Sequence, residues 1–349
     1  MLGLRSGAGK RLDPDAATSM GLVWSQMKTV VFLLVSSLFA AGGAAQSAVP
    51  SFDELSNHYS YDRQPHMALR ESGVEKRDGV MVISMDYAGS RGRVPAYLLL
   101  PSGKGPFPAI IWGHWLKKGS QLNDRDEFLE EAMVLARAGV VSLLVDAPQA
   151  RHELPQETDP LEIIKQTGDV TGQQVVDLRH GVDLLLTRRV VDPHRIGYVG
   201  HGFDAHAGAI LASVEHRISS FVLMASGYSD EDETFASKDP QVVAQRKQIG
   251  DDNLRAYFHD FPWDNPVHFL GHTDAASVFL QFGSQDSISR DQAQHYLEMF
   301  SAKDKKMEFY DAGHALNTAA RVDRIRWLEK HLGLKHIDQQ ALEKIPQLK

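Results

Sequence analysis

From residue 80 onward, short apolar runs of strand length alternate with segments of helical spacing, and that alternation leaves few architectures open. Ala109-Ile110-Ile111-Trp112, after Pro106 and Pro108, carries no polar residue, as a strand covered on both faces requires. Residues 140–145, 195–199, 219–225, 277–282 and 306–310 repeat the pattern. Between them, 126–138 puts Phe128, Leu129, Ala132, Met133, Leu135 and Ala136 at helical spacing and stops at Gly139. Helical spacing returns in Val175, Leu178, Val182, Leu185 and Leu186, after a polar loop at 151–160, and should break at Asp192-Pro193. Further helices are predicted over 203–213, 240–258, 291–300 and 315–331. Ahead of all these, 80–86 and 93–100 flank a Gly-containing turn at 88–92 and read as a hairpin. The fold class is therefore α/β, a mostly parallel central sheet flanked by helices, with a leading antiparallel hairpin. Residues 80–335 form the domain, 49–79 an N-terminal arm and 336–349 a C-terminal tail. Residues 227–266 separate two strands by far more than an ordinary loop and form a candidate lid.

The formal net charge of -8 and pI near 6.0 offer no basic footprint, so no nucleic-acid partner is expected. With no cysteine, disulfides, thiolate catalysis and Cys-based metal sites are excluded. Lys28 precedes an apolar run at 30–41 followed by Ala41-Gly42-Gly43-Ala44-Ala45, the layout of a signal peptide over 27–48. That run is shorter than the roughly 20 residues a bilayer span takes, so no stable membrane anchor is expected after cleavage, and the destination is periplasmic or secreted. Residues 1–26 differ in character from the rest of the chain, and Met27 reads as an alternative start.

In open parallel sheets, chemistry sits beyond the carboxyl ends of the strands. The residues there are Gly113-His114-Trp115, Asp146-Ala147-Pro148, Gly200-His201-Gly202-Phe203-Asp204, Ser226-Gly227, Gly283-Ser284-Gln285-Asp286 and Gly313-His314. This order resembles the α/β-hydrolase superfamily, in particular its dienelactone-hydrolase-like and acetyl-esterase-like secreted branches. The resemblance runs from about Val80 to the last helix, and its most specific stretch is the Val191-to-His201 approach to a nucleophile elbow. It implies Asp286 as the orienting carboxylate, His314 as general base, and an oxyanion hole from the backbone N–H of Phe203 with one of His114 or Trp115. It also implies a substrate pocket near Asp146, Arg151, His152 and His201, a small ester-like ligand, and no cofactor.

At the elbow the family expects Ser, any residue, then Gly, whereas this chain reads Gly202, Phe203, Asp204. Glycine accepts the strained backbone of an elbow but brings no attacking oxygen. Asp204 replaces a residue whose smallness normally lets helix and strand approach, so packing should suffer unless the site has adapted. Asp204 is also an alternative nucleophile, although its register is two residues past the apex. Ser226 and Ser284 lie at strand ends but not on an elbow. A metal site built from His114, His152, His201, His206 and His314 with Asp146 or Asp204 lacks any metalloprotease signature, and none is expected. Three functions are compatible with this chain: an ester hydrolase with a replaced nucleophile, a non-catalytic binding protein that keeps the hydrolase pocket, or a folded but recently inactivated hydrolase.

Overall fold

The computed structural model describes residues 50–63, 68–116, 124–151, 159–227, 231–238 and 240–347. The signal-peptide segment and His152 lie outside them. Nine strands form one sheet: β1 (Arg70–Arg77), β2 (Val80–Gly89), β3 (Gly92–Leu100), β4 (Phe107–Gly113), β5 (Val141–Val145), β6 (Val191–His201), β7 (Ser220–Met224), β8 (Ser277–Gly283) and β9 (Asp304–Tyr310). Their spatial order is β1-β2-β3-β5-β4-β6-β7-β8-β9. The pairs from β1 through β3 to β5 are antiparallel, and those from β5 through β4 to β9 are parallel. The α/β class and the leading hairpin stand as expected.

The period-two geometry of the strands divides the core into two layers. Ala109 and Ile111 of β4, Tyr198 of β6, and Phe221 and Leu223 of β7 face one side. There they meet α4 (Pro160–Thr187), α5 (Phe203–Val214) and α9 (Arg290–Met299). Ile110, Trp112, Val199 and Val222 face the other, against α2 (Leu129–Arg137) and α10 (Thr318–Leu332). Covered on both faces, β4 is apolar without alternation.

Several boundaries differ from the sequence expectation. Strand β6 begins at Val191 rather than at Arg195, and so contains Asp192-Pro193. Its pairing with β4 jumps from Phe107↔Val191 to Ala109↔Ile196, so the residues between are outside the regular ladder and Pro193 removes no bond from it. The helix expected over 240–258 is two, α7 (Pro240–Ile249) and α8 (Asp251–Asp260), because Gly250 turns the chain at φ +92°. The loop expected at 151–160 is bounded by a one-turn helix, α3 (Pro148–Arg151), and by α4, which starts at Pro160. The N-terminal arm holds α1 (Phe52–Asn57) and the edge strand β1, and the C-terminal tail holds α11 (Gln339–Lys344), whose Leu342 is fully buried.

The candidate lid carries α6 (Glu231–Ala236), α7, α8 and the 3-10 turn Pro262–Asp264, and two more 3-10 turns, Pro266–His268 and Leu270–His272, lead from its end toward β8. Ile249, Leu254, Tyr257 and Phe258 form its own small apolar cluster. It is tied to the body where His206 Nε2 donates to Asp264 O at 3.2 Å and Asp264 accepts from Tyr257 Oη at 2.6 Å. No helix of the described residues is long and apolar enough to cross a membrane.

Candidate active site

Strand β6 runs directly into α5 through Gly202, which holds φ +56° and ψ −108°. This is backbone that an L side chain enters only at a cost of about 1–3 kcal/mol, so the elbow has its sharp form with a glycine at the apex. The Gly202 N–H donates to Met224 O at 2.9 Å, which pins the bend to β7. A Cβ placed on Gly202 would lie 3.0 Å from His314 Nε2 and 3.3 Å from Trp115 Cβ. The apex therefore points at the histidine as a nucleophile would.

His314 stands in the loop after β9 and Asp286 in the loop after β8. His314 Nδ1 lies 2.7 Å from Asp286 Oδ2, and Asp286 Oδ1 accepts the Ser287 N–H at 2.8 Å. Burial works to raise the Asp286 carboxyl, but its bond to His314 and the charges nearby outweigh that and hold it below the usual carboxylate range. An ionised Asp286 puts the hydrogen on Nδ1 and leaves the Nε2 lone pair toward Gly202. The imidazole thus turns Nε2 toward the apex, and the group it faces there on its own chain is a bare α-carbon.

His314 is held from a second direction. The rings of Trp115, His201 and His314 stack nearly parallel, with centroids 4.7 Å (Trp115–His201), 5.2 Å (Trp115–His314) and 5.1 Å (His201–His314) apart. His201 Nε2 lies 2.9 Å from the His314 carbonyl oxygen, which can only accept, so Nε2 carries a hydrogen. Its Nδ1 sits 2.5 Å from Glu127 Oε1, and the other Glu127 oxygen accepts the Trp115 N–H at 2.7 Å. No sequence motif points to Glu127: it lies just before α2, far from every strand end.

That last bond closes one of the two alternatives for the second oxyanion donor. The Trp115 N–H is committed to Glu127 and is not offered as an oxyanion donor, while the Trp115 side chain covers the elbow. His114 is internal too: its Nε2 accepts the Ala147 N–H at 2.9 Å, so its Nδ1 carries the hydrogen donated to Trp115 O at 2.8 Å. The Phe203 N–H opens α5 and has no acceptor within that helix, as the first turn dictates. The Phe203 side chain packs with Ala147, Val170 and Leu116.

Asp204 is fully buried and bonds Gln174, not His314. Its Oδ1 accepts from Gln174 Nε2 at 2.6 Å, and burial lifts its carboxyl to about 6. The space it needs comes from Gly113: a Cβ there would lie 2.6 Å from Asp204 Cβ and 2.7 Å from Tyr198 Oη. Tyr198 Oη in turn donates to Asp204 O at 2.7 Å. The packing penalty expected for Asp204 is thus absorbed by a glycine one strand away.

Of the expected pocket residues, Asp146 pairs with Arg125 and Arg151 pairs with Asp177 at 2.7 Å inside the protein. Arg151 also reaches Gln174 Oε1 at 3.4 Å, so Gln174 bridges it to Asp204. Ser226 Oγ bonds Gly227 O and Tyr296 Oη rather than the histidine. His206 belongs to the lid contact. Among the described residues no group of three or more His, Cys, Asp or Glu is arranged to hold a metal ion.

The sheet order, the elbow between β6 and α5, and the acid and histidine loops after β8 and β9 together decide the architecture. The chain has the α/β-hydrolase fold. Solved structures agree. It superposes on an acetyl xylan esterase from Thermoanaerobacterium sp. JW/SL YS485 with a TM-score of 0.64 at 15% identity, over 81% of this chain and 95% of that one. An acetyl xylan esterase from Paenibacillus sp. R4 gives 0.61 at 16% identity, over 80% and 92%. A glucuronoyl esterase from Solibacter usitatus gives 0.56 at 12% identity, over 88% and 98%. No family model and no curated protein sequence matches the chain. At these identities the likeness is one of fold.

Proposed function

We propose that this α/β-hydrolase-fold protein descends from a carboxylic-ester hydrolase, still binds an ester-like ligand at the His314–Asp286 dyad, and does not cleave it through an acyl-enzyme. The single observation that carries this is the bare α-carbon of Gly202 opposite His314 Nε2. Acyl transfer on this fold needs an oxygen or sulfur there for the base to deprotonate, and loss of that atom typically costs about 10⁶ in turnover. Capture of the Trp115 N–H by Glu127 supports the same reading, since it removes a candidate donor to a tetrahedral oxyanion. The bond of Asp204 to Gln174 speaks against an Asp nucleophile. The structural neighbours named as acetyl xylan and glucuronoyl esterases suggest an ester carried on a carbohydrate. The segment from Lys28 to Ala45 supports export.

The test is hydrolysis of p-nitrophenyl acetate by the purified chain, by Gly202→Ser and by Gly202→Ser with His314→Ala. The unmodified chain should stay within about 10³–10⁴-fold of the uncatalysed rate, what binding and backbone donors alone leave, and Gly202→Ser should gain about 10²-fold or more, lost again without His314. The gain should fall short of a native esterase, because the new Cβ must displace His314 and Trp115 by a few tenths of an ångström. Turnover by the unmodified chain at about 1 s⁻¹ or faster overturns the reading. Loss of that turnover in Asp204→Asn would transfer the nucleophile to Asp204.

A further inference from the structure

A second cleft, of about 450 Å³, opens between the N-terminal segment, the β2–β3 turn and α4. His58, Tyr61 and Asp62 wall it from the N-terminal segment, Arg91 from the β2–β3 turn, and Gln173 and His180 from α4. Gln173 and Gln174 are successive residues of one helix: the second bonds Asp204 beside the elbow, and the first lines this cleft. The two spaces are also joined through bonds, since Ser90 in the cleft wall donates its N–H and its hydroxyl to Asp177 Oδ1, and Asp177 Oδ2 holds Arg151.

The chemistry of the lining selects its ligand. Gln173 is buried to 8% exposure, and its Nε2 has no hydrogen-bond partner and is itself shielded, so it meets a ligand only when the amide turns toward the cleft; left unmet, it costs about 1–3 kcal/mol. Tyr61 has its hydroxyl taken by Asp183 and Arg217, at 2.9 and 3.0 Å, and Arg179 lies over its ring at 4.8 Å, so it contributes only the ring surface left uncovered. The Arg91 guanidinium is neutralised by both oxygens of Asp169. His180 packs edge-on to Tyr61 with centroids 4.5 Å apart, and burial lowers its pKa, so its imidazole is neutral at pH 7 and both donates and accepts. Asp62 adds a carboxylate acceptor. The cleft thus combines ring surfaces, an unmet amide donor, a neutral imidazole and a carboxylate. An anion finds no unpaired cation in this set, and an apolar ligand would strand the Gln173 amide. Hydroxyl groups carried on a ring with apolar faces satisfy every element of it.

We propose that this cleft is a binding site for an uncharged sugar unit, separate from the dyad and reached independently of it. Its test is titration calorimetry of the full chain with xylotriose, cellotriose and maltotriose, with glucuronate and glucosamine as charged comparators. At least one neutral trisaccharide should bind with a Kd below about 10 mM, weakened about tenfold or more by Gln173→Leu and by His180→Ala, and unchanged by His314→Ala. Thermal melts establish that each variant is folded. Should Gln173→Leu fail to fold, the partly exposed His180→Ala carries the comparison. Three results each overturn the proposal: no neutral trisaccharide binding in that range, binding lost with His314→Ala but kept in Gln173→Leu, or a charged comparator binding more tightly than the neutral sugars.

Discussion

At the scale of single residues, the substituted elbow is a matched set. Gly202 suits the apex backbone, and Asp204, too large for the place it occupies in this fold, sits in the hollow left by Gly113. Its carboxyl is nonetheless costly. With a folded-state value of about 6 against 3.8 for the free group, the folded chain keeps a proton that the unfolded chain releases between about pH 4 and 6. The stabilisation from that proton is complete below pH 4 and is lost as the pH rises through 6. Asp204→Asn keeps the Gln174 bond and removes the titration. Its stability relative to the unmodified chain should therefore increase from pH 4 to pH 8, by about 3 kcal/mol at most, in urea unfolding at the two pH values. An unchanged difference would show that Asp204 is solvated. Gly202, Asp286 and His314 were readable from sequence because each sits in a short motif at a strand end and the chain order is diagnostic. Glu127 and Gln174 were not, since each meets its partner only across the fold, 74 residues from His201 in one case and 30 from Asp204 in the other.

Among elements, α5 explains how the elbow is held so near the sheet. Its run Ala205, Ala207, Gly208, Ala209 lets it lie close on β6 and β7, and every residue of the helix is buried. A Cβ on Gly208 would clash with the Tyr198 ring and come within 2.8 Å of Leu223 Cδ2. Alanine gains about 1 kcal/mol of helix propensity over glycine, but overpacking costs about 1–3 kcal/mol and here pushes against a buried aromatic ring. Gly208→Ala should thus lower stability by about 1–2 kcal/mol in denaturant unfolding. A stabilised variant would mean that the helix can slide on the sheet. The helices and strands were legible in outline because their periodicities are local. Where β6 begins and where α7 gives way to α8 were not, because a register shift against β4 and a single left-handed glycine decide them.

For the molecule as a whole, the segments flanking the predicted domain belong to its packing. Arg321 of α10 donates to the carbonyls of Leu342, Ile345 and Pro346 at 3.1, 2.9 and 3.2 Å, within a buried cluster where Glu131 pairs with Arg324 at 2.8 Å. Burial already pulls the Arg321 guanidinium below its ordinary range. Removing residues 337–349 would expose the Leu342 site and strand those donors. A loss of about 3 kcal/mol or more is expected, read as a lower midpoint of thermal unfolding. A midpoint unmoved by the truncation would show the C-terminal helix to be dispensable. The sequence alone determined the α/β class, the strand-end positions of Asp286 and His314, and the missing oxygen at Gly202, because periodicity and side-chain identity are properties of the chain itself. Only the tertiary structure decided that Trp115 covers the elbow with its N–H held by Glu127, that Gly113 houses Asp204, and that a polar cleft lies beside α4. Each of these depends on groups distant in the chain meeting at a few ångströms, which no local pattern encodes.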